Sequence, residues 1–214
     1  MTLRRTLIEG SSVFGIVLNE KQADAFLVYL VELEKWNRKM SLTAIHGEQE
    51  VIVKHFLDSL SFVRGFDPVP GSRILDMGSG AGFPGLPLKI AFPDLRMTLV
   101  ESVQKKASFL RHMVRTLALD GVDVVDKRTE ELGEGYKGSY DVVTARAFAS
   151  IENALREGAP FLRERGVMVL SRGPAETAKE KDASAAGMAV ENHLELALPF
   201  SGDRRAIWVF RKKS

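Results

Sequence analysis

Ile74-Leu75-Asp76-Met77-Gly78-Ser79-Gly80-Ala81-Gly82-Phe83-Pro84-Gly85 decides how the rest of the chain is read. The run Ile74 to Met77 is short and apolar, as a buried strand is, and Pro84 opens a stretch with helical signals. At this junction four glycines, Gly78, Gly80, Gly82 and Gly85, fall within eight residues. Residues without Cβ let a ligand approach the backbone closely and permit positive φ in a tight turn, so the loop is expected to cradle a ligand across a strand end. Pro84 is expected in the first helical turn, where its missing amide hydrogen costs nothing.

Downstream, further apolar runs at Met97–Val100, Val122–Val125, Val142–Thr144 and Val167–Leu170 read as parallel strands. Candidate crossover helices lie near Pro84 to Phe92, Gln104 to Leu119, Ile151 to Leu162 and Ala175 to Ala186. Leu194–Leu198 and Ala206–Phe210 are separated by too few residues for a crossover and should pair antiparallel. Upstream, Phe26, Leu27, Leu30, Leu33 and Trp36, and then Val51, Ile52, His55, Phe56 and Leu60, recur at helical spacing. The proline-broken segment Phe66 to Gly71 ends that region. The expected organisation is one compact domain, with residues 1–66 a helical extension packed on a core of residues 67–214. The fold class is α/β, a doubly wound seven-stranded Rossmann-like sheet.

The chain has 214 residues, 45% hydrophobic and 27% charged, which suits one globular domain with a sizeable core. With no cysteine, disulfides, thiolate metal sites and thiol nucleophiles are excluded. No apolar run approaches the roughly 18 residues that span a bilayer, and no export signal is visible, so a cytoplasmic chain without a membrane partner is expected. The net charge of +2 is too small to announce a nucleic-acid partner. The basic groups at Arg38-Lys39, Lys105-Lys106, Arg204-Arg205 and Arg211-Lys212-Lys213 read first as solvated surface. Four scattered histidines give no metal-ligand spacing.

Gly80, Gly82 and Gly85 also satisfy the dinucleotide pattern G-x-G-x-x-G. Against it stand Asp76 before the glycines, and Pro84 and Pro87 where a pyrophosphate would want free amides. Glu101, closing the second strand, is placed to accept hydrogen bonds from ribose hydroxyls, which either an adenosyl donor or a dinucleotide would offer.

Trp36 to Ile45, His55-Phe56-Leu57-Asp58-Ser59-Leu60, Gly78 to Leu88 and Thr144-Ala145-Arg146-Ala147 together resemble the bacterial 16S ribosomal RNA guanine-N7 methyltransferase family, also called glucose-inhibited division protein B. The resemblance runs from about Tyr29 to Gly173. It implies a class I methyltransferase fold, S-adenosyl-L-methionine as cofactor, and 16S ribosomal RNA or the small ribosomal subunit as partner. It also implies cofactor contacts from Gly78, Gly80, Phe83, Glu101, Thr129, Glu130 and Arg146, with Arg146 and Arg172 as substrate-binding candidates. Ser41 stands where the family usually has Asn, Glu101 where Asp is common, and Arg172 where Lys is usual. The last change replaces a point charge by a planar fork.

The chemistry the residues permit agrees. Pyrimidine carbon-5 methylation usually needs a cysteine, which is absent, and the Asn/Asp-Pro-Pro-aromatic motif of exocyclic amine methylation is replaced by Thr144-Ala145-Arg146-Ala147-Phe148. Guanine N7 carries its own lone pair and needs alignment rather than a base. Arg146 is the candidate for orienting the guanine, the cofactor carboxylate or a flanking phosphate. His55 and Asp58, three apart, share a helix face, but a histidine in an apolar stripe reads as packing rather than as an acid or base. Other readings remain open at this point: methylation of a protein or small molecule, a nicotinamide oxidoreductase, or a non-catalytic RNA-binding module. A monomer without metal is expected.

Overall fold

The protein was studied as a computed structural model, which describes residues 2–146 and 150–213. Ala147 and Phe148, part of the segment expected after the fourth strand, lie outside the described residues. Helices α1 (Leu3–Ser12), α2 (Glu20–Met40) and α3 (Glu48–Val51) come first; a π-helical stretch Ile52–Leu57 then runs into α4 (Asp58–Leu60). Strand and helix alternate from there: β1 (Arg73–Met77), α5 (Gly85–Ala91), β2 (Arg96–Val100), α6 (Gln104–Thr116), β3 (Val122–Val125), β4 (Tyr140–Arg146), α7 (Ile151–Gly158), β5 (Leu162–Arg172), α8 (Glu180–Ala185), β6 (Met188–Ala197) and β7 (Arg204–Lys212).

The strand order is β3-β2-β1-β4-β5-β7-β6. Strands β1 to β5 pair in parallel, and β7 lies antiparallel between β5 and β6, as the short connection requires. The order turns back between β1 and β4, and ligands of doubly wound sheets bind outside the carboxyl ends of the strands at such a switch point.

Alternate residues of the central strands enter two apolar clusters, one on each face. Ile74, Val142, Val169, Ile207 and Val209 join the cluster that holds Leu7, Phe26, Leu33, Phe56 and Leu60 of the N-terminal helices. Leu75, Met77, Val143 and Leu170 join the other, with Leu155 of α7 and Ala183 of α8. Parity therefore sends Asp76, Thr144, Arg146 and Arg205 toward the N-terminal helices. Helix α2 is fixed at its start by a capping box between Asn19 and Gln22, whose side chain also donates to the carbonyls of Ile90 and Ala91 at the end of α5.

Some expected boundaries are corrected. The helix expected over Ile151–Leu162 stops at Gly158, before Pro160, and a 3-10 turn leads into a β5 that starts at Leu162. The helix expected over Ala175–Ala186 is only Glu180–Ala185. Strand β6 begins at Met188, six residues before the apolar signal at Leu194, because an edge strand paired on one side tolerates an outward polar run. Pro84 caps α5 rather than occupying its first turn.

Candidate cofactor and substrate site

The glycine loop is folded on its own backbone. The amide of Ser79 donates to the Val100 carbonyl of β2 at 2.9 Å, and Ser79's carbonyl accepts from Gly82 and Phe83 at 2.7 and 2.8 Å. Gly80 has φ +60, and a Cβ there would meet nothing nearer than 3.9 Å, so its bare face opens on space a ligand can fill. Gly82 is opposite in character: at φ +102, a Cβ would lie 2.5 Å from both the Tyr29 hydroxyl and Leu86.

The start of α5 has no amide to spare. Asp76 accepts from the Gly85 amide at 3.1 Å, Leu86 donates to the Gly82 carbonyl at 2.8 Å, Leu88 donates to the Pro84 carbonyl at 3.2 Å, and Pro87 has no N–H. A dinucleotide site sets its pyrophosphate on these groups, and here they are committed. Asp76 also accepts from the Thr144 hydroxyl at 2.9 Å, its cross-strand neighbour. Full burial pushes its carboxyl up to about 6, against the opposing pull of those hydrogen bonds and of the Arg146 charge.

Glu101 sits beside the loop at the end of β2, buried, with Oε2 accepting from Gly80 at 2.8 Å and Oε1 from Val103 at 2.7 Å. Each oxygen keeps a lone pair for a hydroxyl partner. An aromatic wall backs the loop. The Tyr29 hydroxyl donates to the Ala81 carbonyl, and burial pushes its pKa well up. The Tyr29 ring stacks on Phe83 with centroids 5.6 Å apart, and His55 stacks on Phe83 at 4.3 Å and 9°.

Arg146, at the end of β4, places its guanidinium carbon 5.5 Å from the Phe83 centroid. Its Nη2 donates to His55 Nδ1 at 2.7 Å, and Nη1 is 3.5 Å from Asp58. Asp58, only 3% exposed, also accepts from Arg205 of β7 at 3.1 Å. Burial first, and the Arg146 charge second, hold His55 down at about 3, so it is neutral at physiological pH. His55 therefore combines the expected packing with a direct contact to Arg146.

The structure gathers Gly78, Gly80, Phe83, Glu101 and Arg146 around one strand-end loop. Thr129 is buried in a 3-10 turn (Thr129–Glu131) beyond β3, whose Val125 carbonyl accepts from the Glu101 amide, while Glu130 is exposed. Arg172 is buried at the end of β5, 3.6 Å from Glu176, and its parity puts it on the face of the sheet opposite to Arg146. Sequence reasoning gave no role to Tyr29 or Thr43 and favoured structure for His55 and Asp58; Arg205, read with Arg204 as solvated surface, is instead turned inward onto the buried Asp58. The three-residue spacing of His55 and Asp58 was the available signal. No group of three or more His, Asp or Glu able to hold a metal occurs among the described residues.

The chain resembles known proteins over most of its length. A family model described as rRNA small subunit methyltransferase G (GidB) matches residues 22–208. A protein of Acetivibrio thermocellus named ribosomal RNA small subunit methyltransferase G is 38% identical over 220 residues, covering 99% of this chain and 89% of that protein. One of the same name from Roseiflexus castenholzii is 44% identical over 171 residues, covering 79% and 73%. Among solved structures, that of M. jannaschii TYW2 in complex with AdoMet superposes with a TM-score of 0.55 at 15% identity, covering 70% of this chain and 72% of that one, a likeness of fold. From Gln22 to Trp208, through the glycine loop, the aromatic wall and Arg146, the chain belongs to the rRNA small subunit methyltransferase G family.

Proposed function

We propose that this protein transfers the methyl group of S-adenosyl-L-methionine to N7 of a guanine in 16S ribosomal RNA, on the small subunit or its RNA. The observation that carries the donor assignment is the α5 start, whose amides are committed while Gly80 opens on free space: that loop suits an adenosyl group lying across it and not a pyrophosphate. The relatives' name, and the complex that its distant structural neighbour forms with AdoMet, support the same reading.

In this reading Gly78, Gly80 and Phe83 form the floor, Glu101 takes the ribose hydroxyls with its remaining lone pairs, and Thr129 and Glu130 border the adenine. The bound donor supplies an electrophilic methyl on a cationic sulfur. The protein's task is to hold a guanine with N7 in line with it. N7 has no proton to lose, and the groups at the site match that demand: His55, held down at about 3, is a poor base whose Nδ1 already accepts from Arg146, and Arg146 is a donor only. Orientation alone can supply roughly 7–11 kcal/mol. Arg146 orients the base, the donor's carboxylate or a flanking phosphate, and Arg172 meets the substrate from the other side. We further read the chain as one domain, with residues 1–66 an extension on residues 67–214, that works in the cytoplasm as a monomer without metal. No helix among the described residues is long and apolar enough to cross a membrane.

The test is incubation with methyl-labelled donor and either bacterial small subunits or their deproteinised RNA, followed by digestion to nucleosides. Label in 7-methylguanosine is the expected result. Label on carbon, ribose, an exocyclic amine or a ribosomal protein, or no transfer, overturns it.

A further inference from the structure

Arg146 is held almost wholly by residues of the N-terminal segment, far from it in sequence. Asn37, near the end of α2, clamps the backbone of Thr43 in both directions: Nδ2 donates to the Thr43 carbonyl at 3.0 Å, and Oδ1 accepts from the Thr43 amide at 2.9 Å. The Thr43 hydroxyl, which also accepts from the Ile45 amide at 3.1 Å, is 2.7 Å from His55 Nε2. His55 Nδ1 is 2.7 Å from Arg146 Nη2. A guanidinium only donates, so Nδ1 must be the bare nitrogen and the ring proton must sit on Nε2, donated to Thr43. The π-helical turn Ile52–Leu57 carries His55, and such turns are frequent at functional sites. Phe83, stacked on the same imidazole, makes the ring a rigid plane between the glycine loop and Arg146.

We propose that Asn37, Thr43 and His55 form a hydrogen-bonded positioning chain that fixes the His55 tautomer and thereby aims the Arg146 guanidinium at the bound donor or guanine. The inference rests on the role given to Arg146 above. None of the three need touch the reacting atoms; they act through Arg146. A neutral His55, kept so by burial and the neighbouring arginine, is what this arrangement requires, since an imidazolium would present a proton to Arg146.

The experiment measures single-turnover methyl transfer to small subunits and affinity for S-adenosylhomocysteine in Thr43→Val, Thr43→Ser, His55→Phe and His55→Asn, alone and with Arg146→Lys. Loss of aim costs rate steeply, so Thr43→Val and His55→Phe should each lower the transfer rate by about tenfold or more. Thr43→Ser keeps the hydroxyl and should restore most of it, whereas His55→Asn keeps an acceptor near Nδ1 but no group that reaches Thr43 and should recover only part. In the Arg146→Lys background the second substitution should add little, because residues acting through one group are not additive. Nitrogen-15 spectra of His55 should show a bare Nδ1 and a protonated Nε2 in the wild type, with the Nε2 signal shifted in Thr43→Val as its acceptor is lost. Wild-type rates in Thr43→Val and His55→Phe beside a crippled Arg146→Lys would overturn the chain alone. Unchanged transfer in Arg146→Lys would overturn the role of Arg146 and the chain with it. Multiplicative losses, or a proton on Nδ1, would also refute the proposal.

Discussion

Removing the Asp58 carboxylate should unsettle the fold around the site. Asp58 is 3% exposed and stands between two cations, Arg205 at 3.1 Å and Arg146 at 3.5 Å. In Asp58→Ala both guanidinium groups lose their counter-ion. Breaking a fully buried pair costs about 3–5 kcal/mol. The side chains of Arg146 and Arg205 are 18% and 23% exposed and can recover some hydration, so the expected cost is lower, about 2–4 kcal/mol. For a chain of this size each kcal/mol lowers Tm by about 2–4 °C, giving a fall of about 4–16 °C. Thermal unfolding followed by circular dichroism reads this directly. Because the pair is buried, the fall should persist in high salt. Asp58→Asn, which keeps one acceptor, should fall roughly half as far. A Tm within about 2 °C of wild type in Asp58→Ala would show that Asp58 holds neither arginine, and the account of how Arg146 is anchored would fail.

Gly82→Ala combines a backbone at φ +102 with a Cβ placed 2.5 Å from Tyr29 and Leu86, so it should destabilise by about 2–4 kcal/mol and weaken donor binding, both measurable by urea titration and calorimetry. The pH dependence of stability carries two opposed contributions. His55 is depressed from 6.5 to about 3, so its neutral form stabilises the fold above pH 6.5 and that stability is lost as pH falls toward 3. Asp76 is raised from 3.8 to about 6, so its contribution is full below pH 3.8 and is lost as pH rises toward 6. Each has a slope of about 1.4 kcal/mol per pH unit and they offset between pH 4 and 6. In His55→Phe the offset is gone, so denaturant midpoints should gain on the wild type steadily as pH is lowered from 6.5; parallel curves would contradict this.

What was legible in the sequence follows from local physics. Buried parallel strands are short apolar runs, and the glycine loop is a backbone requirement written in residue type, so β1 to β5, the hairpin of β6 and β7, and the cradle could be read directly. The start of β6 could not, because Glu191-Asn192-His193 on an edge strand faces outward and carries no apolar alternation. The π-helical stretch Ile52–Leu57 has the same apolar character an α-helix would have, so its register was invisible. The cluster around Arg146 was also hidden. It joins residues 37, 43, 55, 58, 146 and 205, and no local pattern announces that β4 and β7 project Arg146 and Arg205 onto the same N-terminal helices. Asp76 before the glycines speaks in the sequence only against a dinucleotide site; its task, occupying the first free amide of α5, needed coordinates.

The central claim is that the loop after β1 grips an adenosyl donor by its bare backbone at Gly80. Calorimetric titration of S-adenosylhomocysteine into the wild type and Gly80→Ala tests it most directly. The added methyl meets no protein atom within 3.9 Å, so the fold should hold at a cost of about 1–2 kcal/mol for the left-handed backbone. Saturable binding in the wild type, lost or weakened at least tenfold in the folded variant, is the expected result; no binding in the wild type, or equal binding in both, would contradict the account.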